Sequence, residues 1–268
     1  MSITPANMPF TAIIMAADRG PDDPVSRAAG VSCKALTPVG GIPMVLRVLN
    51  ALEESLAVGP RLLSGPPRPL LDQAAALKSG VDTGDYGWTA NRDSPSASAG
   101  AAMEQIPDSQ PVLLTTADHA LLSSQIIDYF CQQACDSDYD LLVALAPHEL
   151  VAKTYPAVHR TRLRFSERDY CTCNLFAFMT PRSRAITTFW RDVESQRKRP
   201  WRIFAKLGWW PVFKYLLGQL SLDEALARIS RILEMKIGVV VMPFANAAVD
   251  VDTEKDWQLV QQILAKTE

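Results

Sequence analysis

The sequence lacks an excess of charge of either sign. Its 27 Lys and Arg residues stand against 29 Asp and Glu residues, so the formal net charge of the 268-residue chain is -2 at pH 7. Proteins that bind nucleic-acid polymers usually carry a broad positive surface that attracts the phosphates. We therefore expect no nucleic-acid partner, although a single nucleotide could still bind in a locally positive pocket.

Side chains that form disulfides or bind metals through sulfur or nitrogen are also scarce. The five cysteines are an odd number in a long chain, and the three histidines are scattered. Cys131 and Cys135 are spaced as on a helix, and Cys171 and Cys173 alternate as on a strand. Neither pair has a second pair at zinc-finger spacing. These spacings predict neither a disulfide scaffold nor a structural zinc or His-rich metal site.

Long hydrophobic runs are absent too. The run over residues 10–17 follows no Lys or Arg and is too short for a signal peptide or a membrane span. We therefore predict a cytoplasmic protein without a transmembrane segment. Hydrophobic residues make up 48% of the chain, which is enough for a substantial core. The length fits one domain over residues 1–268, with residues 183–236 as a helical insertion or lobe.

Apolar runs alternate with helical patterns in the first half of the chain. Strands are predicted over residues 10–17, 62–65, 112–118 and 140–146. Helices are predicted from near Pro43 and over residues 70–77, 98–105 and 124–135, and loops over residues 18–30 and 82–98. Strands that alternate with helices indicate an α/β fold with a mostly parallel sheet.

The pattern changes after Pro147. Residues 157–165 and 171–179 fit the strands of a hairpin. A long helical region follows over residues 183–234, which Gly208 and Pro211 should break. A last strand over residues 239–242 and an amphipathic helix over residues 256–266 close the chain.

The loop after the first strand is the first candidate site, because ligands of α/β sheets bind at the carboxyl ends of strands. Ala16, Ala17 and Gly20 are small enough to let a phosphate approach, and Arg19 and Arg27 could pair with its oxygens. Neither the Rossmann nor the P-loop glycine pattern is present. Taken alone, the loop fits an ordinary strand-to-helix connection as well as a phosphate site.

Together with the residues that follow, this loop resembles the signature of the MobA-like NTP transferases. That signature reads L-A-A-G-x-G, a spacer, and P-K-A-L-x-P-V-x-G-x-P-M; the matching segments here are residues 15–20 and 34–44. Asp18 stands where the family usually has Gly, and Cys33 where many members have Pro. The resemblance implies a three-layer, Rossmann-like fold of the glycosyltransferase-A type. It also implies transfer of a nucleoside monophosphate from an NTP to a small phosphorylated acceptor, with release of pyrophosphate.

The same resemblance implies which residues bind the nucleotide. Lys34 would reach the triphosphate and offset charge that develops at the attacked phosphorus. Ala16, Ala17, Arg19 and Gly20 would hold the triphosphate, and Ser98 would line the base and sugar. Without the resemblance, Lys34 also fits a solvated surface lysine, and Ser98 fits a helix N-cap at least as well.

Carboxylates at two distant places would hold Mg²⁺ and complete the catalytic site. Asp118 lies at the end of the strongly apolar strand over residues 112–118, in a segment similar to the family's D-x-P-L metal motif, although an Asp there could also cap a helix. Asp250 and Asp252 lie in a segment similar to the family's end motif, N/D-x-D-T-P-E-D-L, and alternation places both on one face. We expect Asp118 and Asp250 to bind Mg²⁺ and Asp252 to be mainly structural, as a cap of the last helix, although the sequence leaves open which of Asp250 and Asp252 is the second metal ligand.

Two further features of the sequence allow more than one interpretation. Asn174 lies in an otherwise apolar strand and needs a polar partner, either an acceptor group or a backbone group. The basic and aromatic stretch 197–214 could bind an anionic acceptor, contact an anionic membrane surface, or form the patch of a homodimer.

Two rival functions stay open. One is a glycosyltransferase of the same fold that uses a sugar nucleotide. The other is a nucleotide-binding protein that has lost catalysis, which the substitutions at Asp18 and Cys33 would fit.

Overall fold

The computed structural model describes residues 8–17, 23–158, 160–195 and 209–266. Its strands are β1 (Phe10–Met15), β2 (Pro38–Val39), β3 (Ile42–Pro43), β4 (Val58–Ser64), β5 (Gly87–Thr89), β6 (Val112–Thr116), β7 (Leu141–Pro147), β8 (Leu163–Arg164), β9 (Asp169–Phe178) and β10 (Ile237–Val241). Its α-helices are α1 (Pro24–Ala29), α2 (Met44–Glu53), α3 (Arg68–Gln73), α4 (Ala75–Thr83), α5 (Pro95–Met103), α6 (Ser124–Cys135), α7 (His148–Thr154), α8 (Ile186–Ser195), α9 (Trp209–Leu216), α10 (Leu222–Leu233) and α11 (Glu254–Leu264).

The main sheet has eight strands in the order β10-β7-β9-β6-β1-β4-β5, with β8 paired to β9. β1 is parallel to both β4 and β6, β4 to β5, and β7 to β10. Among the described strands of this sheet, β9 is the one that runs antiparallel to its neighbours, β6, β7 and β8. The prediction of a mostly parallel α/β sheet is confirmed, and the carboxyl ends of β1, β4, β6, β7 and β10 meet at one edge.

Helices cover both faces of this sheet, because alternate strand residues point to opposite sides. Ile14 and Leu113 face one core, against α2 and α6. Ile13 and Leu114 face the other, against α5, α8 and α10. The result is the three-layer arrangement implied by the resemblance. Two helices of the region predicted as a lobe, α8 and α10, therefore supply part of the second outer layer.

Several predicted loops contain regular structure. Residues 24–29 form α1 within the predicted loop 18–30; its Asp23 cap accepts hydrogen bonds from the N–H groups of Val25 and Ser26, at 3.0 and 3.1 Å. Asp followed by Pro is a helix-start signal that could have found it. The loop predicted over residues 82–98 contains β5, and α5 begins three residues before Ser98.

Two predictions about the second half were wrong in detail. Of the first hairpin strand predicted over residues 157–165, only β8 forms among the described residues, and Arg160 and Thr161 before it line a cavity instead. Pro211 does not break a helix but lies in the first turn of α9, where its missing N–H would have no helical partner. The predicted break at Gly208 lies outside the described residues.

The described part of the chain contains no helix long and apolar enough to span a membrane. All five cysteines are free, and four of them are buried.

Candidate active site

Lys34 begins a short 3-10 helix, Lys34–Leu36, which leads into the β2–β3 hairpin. The two-residue turn of this hairpin is Gly40-Gly41, with φ of +56° and +75°, a conformation that favours glycine at both positions. The last helix, α11, fastens the hairpin, since Trp257 Nε1 donates to the Pro38 carbonyl at 2.7 Å and Gln261 Oε1 accepts from Gly40 N–H at 2.6 Å. The glycine-containing motif is thus packed on the carboxyl-terminal segment, far away in sequence.

The Lys34 ammonium joins two carboxylates from distant parts of the chain. Its Nζ lies 2.6 Å from Oδ2 of Asp118 and 2.8 Å from Oδ1 of Asp252. The lysine side chain is 8% exposed, Asp118 is 20% exposed and Asp252 is 43% exposed. Lys34 is therefore not the solvated surface lysine of the alternative interpretation, and two carboxylates converge on one cation.

A backbone hydrogen bond brings the two acidic segments together. Val251 N–H donates to the Asp118 carbonyl at 3.0 Å, so the residues beside Val251 lie at the end of β6. The prediction that Asp252 caps the last helix was wrong. The cap is Thr253, whose hydroxyl accepts from Asp256 N–H while the Asp256 carboxylate accepts from Thr253 N–H. Asp252 is left to face Lys34.

Lys34 and Asp118 shift each other's pKa. Burial alone would lower the pKa of Lys34, but the charges and hydrogen bonds of Asp118 and Asp252 outweigh it and raise the pKa. Burial likewise disfavours ionised Asp118, but Lys34 outweighs it and lowers the pKa of this carboxyl. Both groups are charged near neutral pH.

The second oxygen of Asp118 has a different environment. Thr116 lies close enough to Asp118 to favour its ionised form and so to lower its pKa. Even so, neither the Thr116 hydroxyl nor Oδ1 of Asp118 forms a well-aligned hydrogen bond with any described residue. Next to it, burial lowers the pKa of His119 to about 4, so its imidazole is neutral at pH 7. A buried carboxylate oxygen with spare acceptor capacity is a suitable ligand atom for a hard cation.

Asp250 has other partners than Asp118 and Lys34. Its carboxylate forms an ion pair with Arg160 and accepts a hydrogen bond of 2.7 Å from Nδ2 of Asn174. Asn174 has φ of +47°, a left-handed conformation that Asn tolerates better than most residues. The polar partner that its position in β9 required is thus the Asp250 carboxylate. Arg160 escaped the sequence analysis because no motif or periodic pattern marks it.

A fork between two strands opens the cleft in which these groups lie. β9 pairs with β6 only as far as Leu114 and Phe176, but with β7 as far as Pro147 and Tyr170. The β7–β9 register shifts beyond Val143, and Asn174 lies within this irregular stretch. The ends of β6 and β9 therefore separate.

The cavity at this fork measures about 430 Å³. One wall carries Thr116 and Asp118 and the other carries Thr172 and Asn174, with Asp250 and Asp252 also lining it. A larger cavity of about 750 Å³ lies beside α10 and β10, away from all the predicted site residues. The chemistry therefore selects the smaller cavity.

The remaining predicted binding residues lie around β1 and α5. Ala16 is buried, and its N–H donates to the Ser64 carbonyl at 2.8 Å, while Ala17 is half-buried. Arg19 and Gly20 lie outside the described residues. Ser98 is fully buried; its hydroxyl accepts from Arg92 N–H at 2.8 Å and donates to the Ser94 carbonyl at 2.9 Å. The helix cap itself is Ser94, and the contact of Ser98 with base and sugar stays a prediction.

Groups of three or more His, Cys, Asp or Glu side chains that could enclose a metal do not occur among the residues that the structure describes. This finding is compatible with Mg²⁺, which is usually held by one or two carboxylates together with substrate phosphates and water.

Known proteins resemble this chain in sequence and in fold. The sequence model of the family described as MobA-like NTP transferase domain matches residues 12–185. A hypothetical transferase from Thermus thermophilus is 29% identical, with a TM-score of 0.77 over 93% of this chain and all of that one. No curated protein matches the sequence.

Two solved structures of lower identity share the fold. A CMP:2-keto-3-deoxy-manno-octonic acid synthetase complexed with CTP is 12% identical, with a TM-score of 0.59 over 97% of this chain and all of that one. A 4-diphosphocytidyl-2C-methyl-D-erythritol synthase from Anaerococcus prevotii is 12% identical, with a TM-score of 0.57 over 96% of both chains.

Proposed function

Because the chain belongs to the MobA-like NTP transferase family, we propose that it is a Mg²⁺-dependent nucleotidyltransferase that moves a nucleoside monophosphate to a small phosphorylated acceptor. The observation that carries the proposal is the contact of Lys34 with Asp118 and Asp252 at the carboxyl edge of a parallel sheet. Such an edge is where α/β proteins bind their ligands.

In this reaction an acceptor phosphate oxygen attacks the α-phosphorus of the NTP. A new P–O bond forms, the bond between the α-phosphorus and the bridging oxygen breaks, and its electron pair leaves with pyrophosphate. An ionised phosphate oxygen needs no general base, so positioning and charge stabilisation carry the catalysis. Lys34 would stabilise charge on the triphosphate, and Ala16, Ala17, Arg19 and Gly20 would form the loop beside it.

Asp118 and Asp252 are the residues that would hold Mg²⁺. Both converge on the Lys34 cation, and Asp118 retains a buried oxygen that accepts no hydrogen bond from the residues that the structure describes. When bound, Mg²⁺ would neutralise charge on the phosphate oxygens. Asp250, the ligand expected from the sequence, is less suitable because Arg160 and Asn174 already occupy its two oxygens.

The acceptor would bind along the β9 wall of the cleft. Arg160 and Asn174 present a guanidinium and an amide there, and Thr161 and Thr172 line the same cavity. A guanidinium can pair with two phosphate oxygens at once, which suits an anionic acceptor. Ser98 we assign a supporting role, in holding the turn at residues 92–94.

A thermal-shift panel of the four NTPs, with and without Mg²⁺, tests the proposal. A ligand present at 100 times its Kd stabilises a protein by about 2.7 kcal/mol, which corresponds to a rise in Tm of about 5–10 °C for a chain of this size. We expect at least one NTP to give this shift only with Mg²⁺, and to release pyrophosphate when phosphorylated acceptors are added.

The matched variants are Asp118→Asn and Asp138→Asn. Asp118→Asn should lose the shift, whereas Asp138→Asn, at an exposed ion pair with Lys236, should keep it. Absence of a shift with every NTP would contradict the proposal. Consumption of a sugar nucleotide without pyrophosphate would instead identify a glycosyltransferase.

A further inference from the structure

The cavity at the fork between β6 and β9 is lined by polar side chains. The described residues around it are four threonines, four aspartates, one arginine and one asparagine. None of these ten has an aromatic ring or a wholly apolar side chain. Ligand pockets are usually lined by hydrophobic and aromatic side chains with only a few polar groups. The hydrogen-bonding groups of this lining therefore indicate which kind of ligand it fits.

The amide of Asn174 offers a hydrogen-bond acceptor to the cavity. Its Nδ2 donates to the Asp250 carboxylate at 2.7 Å. An ionised carboxylate only accepts hydrogen bonds, so the nitrogen and not the oxygen of the amide must face Asp250. The amide oxygen has no hydrogen bond to a described residue. A ligand that satisfies this oxygen must supply an O–H or N–H group.

Two threonine hydroxyls on the β9 side of the cavity also have hydrogen-bonding capacity. Thr161 and Thr172 are exposed side chains of the lining. Within the described part of the chain, neither hydroxyl forms a hydrogen bond. A threonine hydroxyl donates one hydrogen bond and accepts others. A ligand group that does the same, such as an alcohol, matches both capacities.

Arg160 supplies the positive charge of this wall. Its side chain is 12% exposed and forms an ion pair with Asp250. A guanidinium carries five N–H donors in a planar fork, so it can bind phosphate oxygens in addition to a carboxylate. An ionised phosphate, however, only accepts hydrogen bonds. It satisfies Arg160 but not the amide oxygen of Asn174, whose donor must come from another part of the ligand.

We propose that the acceptor is a polyhydroxylated phosphate, that is, a polyol phosphate or a sugar phosphate. Its phosphate would pair with Arg160, and a phosphate oxygen would remain for the attack on the NTP. Its hydroxyls would donate to the amide oxygen of Asn174 and exchange hydrogen bonds with Thr161 and Thr172. This substrate class rests on the proposed function, which required only a small phosphorylated acceptor.

A flat heterocyclic acceptor fits this wall less well. Ring N–H groups could also donate to Asn174, but rings are usually held by stacking on aromatic or apolar side chains. The ten lining residues offer no such side chain. Phe176, two residues beyond Asn174 on the same side of β9, packs edge-on against Trp190 within the second core instead.

Calorimetric titration with matched phosphates tests the acceptor class. The polyhydroxylated probes are glycerol 3-phosphate, ribitol 5-phosphate and glucose 1-phosphate; the comparators are propyl phosphate and phenyl phosphate. The full chain is titrated without nucleotide, and again with an α,β-methylene NTP analogue and Mg²⁺. We expect at least one probe to bind at least about tenfold more tightly than both comparators, because a ligand without hydroxyls leaves the polar groups of the wall unpaired. Glucose 1-phosphate against the two open-chain probes separates sugar from polyol.

Thr172→Val removes the hydroxyl and keeps the shape of the side chain. It should weaken binding of the preferred probe about fivefold and leave binding of phenyl phosphate unchanged, and Thr172→Ser should restore the affinity. Thr154→Val is the matched control, because the Thr154 hydroxyl donates to the Leu150 carbonyl of its own helix at 2.8 Å. The control should keep the full preference. Circular dichroism checks that each variant is folded.

Equal binding of the probes and comparators in both series would overturn the inference. Tightest binding of phenyl phosphate would overturn it in favour of an aromatic acceptor, and so would equal effects of Thr172→Val and Thr154→Val. These failures differ from a failure of the proposed function, which is the absence of NTP-dependent thermal shifts and of pyrophosphate release. The titrations without nucleotide measure the ligand class even then.

Discussion

Replacement of Lys34 by methionine should destabilise the protein and change its response to Mg²⁺. Methionine keeps most of the volume of the lysine side chain, so the change removes the charge without opening a large cavity. Asp118 and Asp252, which lie 2.6 and 2.8 Å from the ammonium, would then face each other without a counter-charge.

The exposure of the three side chains sets the expected magnitude. Removing one partner of a buried ion pair costs about 3–5 kcal/mol, whereas an exposed pair contributes about 0–1 kcal/mol. Asp118, at 20% exposure, lies nearer the first case, and Asp252, at 43%, nearer the second. We expect Lys34→Met to lower the free energy of unfolding by about 3 kcal/mol, and Tm by about 6–12 °C.

The loss should depend on pH in a defined way. The lowered pKa of Asp118 means that its stabilising contribution is present above the ordinary pKa of 3.8 and disappears as the pH falls through its lower folded value. The raised pKa of Lys34 means that its contribution is present below 10.5 and disappears as the pH rises through its higher folded value. The difference in free energy of unfolding between the unmodified protein and Lys34→Met should be constant from about pH 5 to 9 and become smaller outside that range.

Guanidinium unfolding across this pH range measures the difference. The control is Lys78→Met, which removes an exposed lysine paired with Asp82 four residues later and should leave the stability unchanged. Mg²⁺ should raise the Tm of Lys34→Met more than that of the unmodified protein, because the two carboxylates lack their cation. Equal stability of Lys34→Met and Lys78→Met, or an equal response to Mg²⁺, would refute the reasoning.

Three further predictions concern the surroundings of the ion pair. In Asp252→Asn the Mg²⁺ concentration for half-maximal pyrophosphate release should rise at least about tenfold. Asp250→Asn should need the same Mg²⁺ concentration as the unmodified protein, but its free energy of unfolding should fall by about 3 kcal/mol because Arg160 loses its charged partner. The opposite result would return the metal role to Asp250. Asn174→Gly should be more stable in urea than Asn174→Ala by about 1 kcal/mol, because its left-handed backbone is costly for residues with a Cβ; equal stability would mean that the backbone relaxes. Gly65→Ala should lower the free energy of unfolding by about 1–3 kcal/mol more than Gly84→Ala. Both glycines have φ of +82°, but of the two only Gly65 would bring a Cβ within 2.9 Å of a backbone oxygen. Equal thermal unfolding of the two variants would contradict that clash.

The sequence predicts the sheet well because its signals are local. Hydrophobic periodicity identifies most of the central strands, and α6 has the predicted bounds of residues 124–135. The helix α1 was missed although its start signal is local, because Gly, Pro and Asp also indicate a loop. Short elements with mixed signals are therefore the least predictable part of the fold.

The partners of the acidic residues could not be predicted in the same way. Lys34 reaches Asp118 and Asp252 across 84 and 218 positions of sequence, and Arg160 reaches Asp250 across 90. Alternation correctly places the two aspartates of the end motif in one cavity. It cannot say which of them faces a lysine and which an arginine, because that depends on loops packed from elsewhere in the chain.

The strand fork gives these contacts a common origin. In a wholly parallel sheet, each strand would end at the carboxyl edge and continue there as a loop. The antiparallel β9 instead begins at this edge, so that side chains of the strand itself line the site. Because β9 leaves β6 after Phe176 but stays with β7, the β6 wall carries Asp118 and the β9 wall carries Asn174, with the cleft between them. Changes on the β6 wall should therefore act first on nucleotide and metal binding, and changes on the β9 wall first on the choice of acceptor.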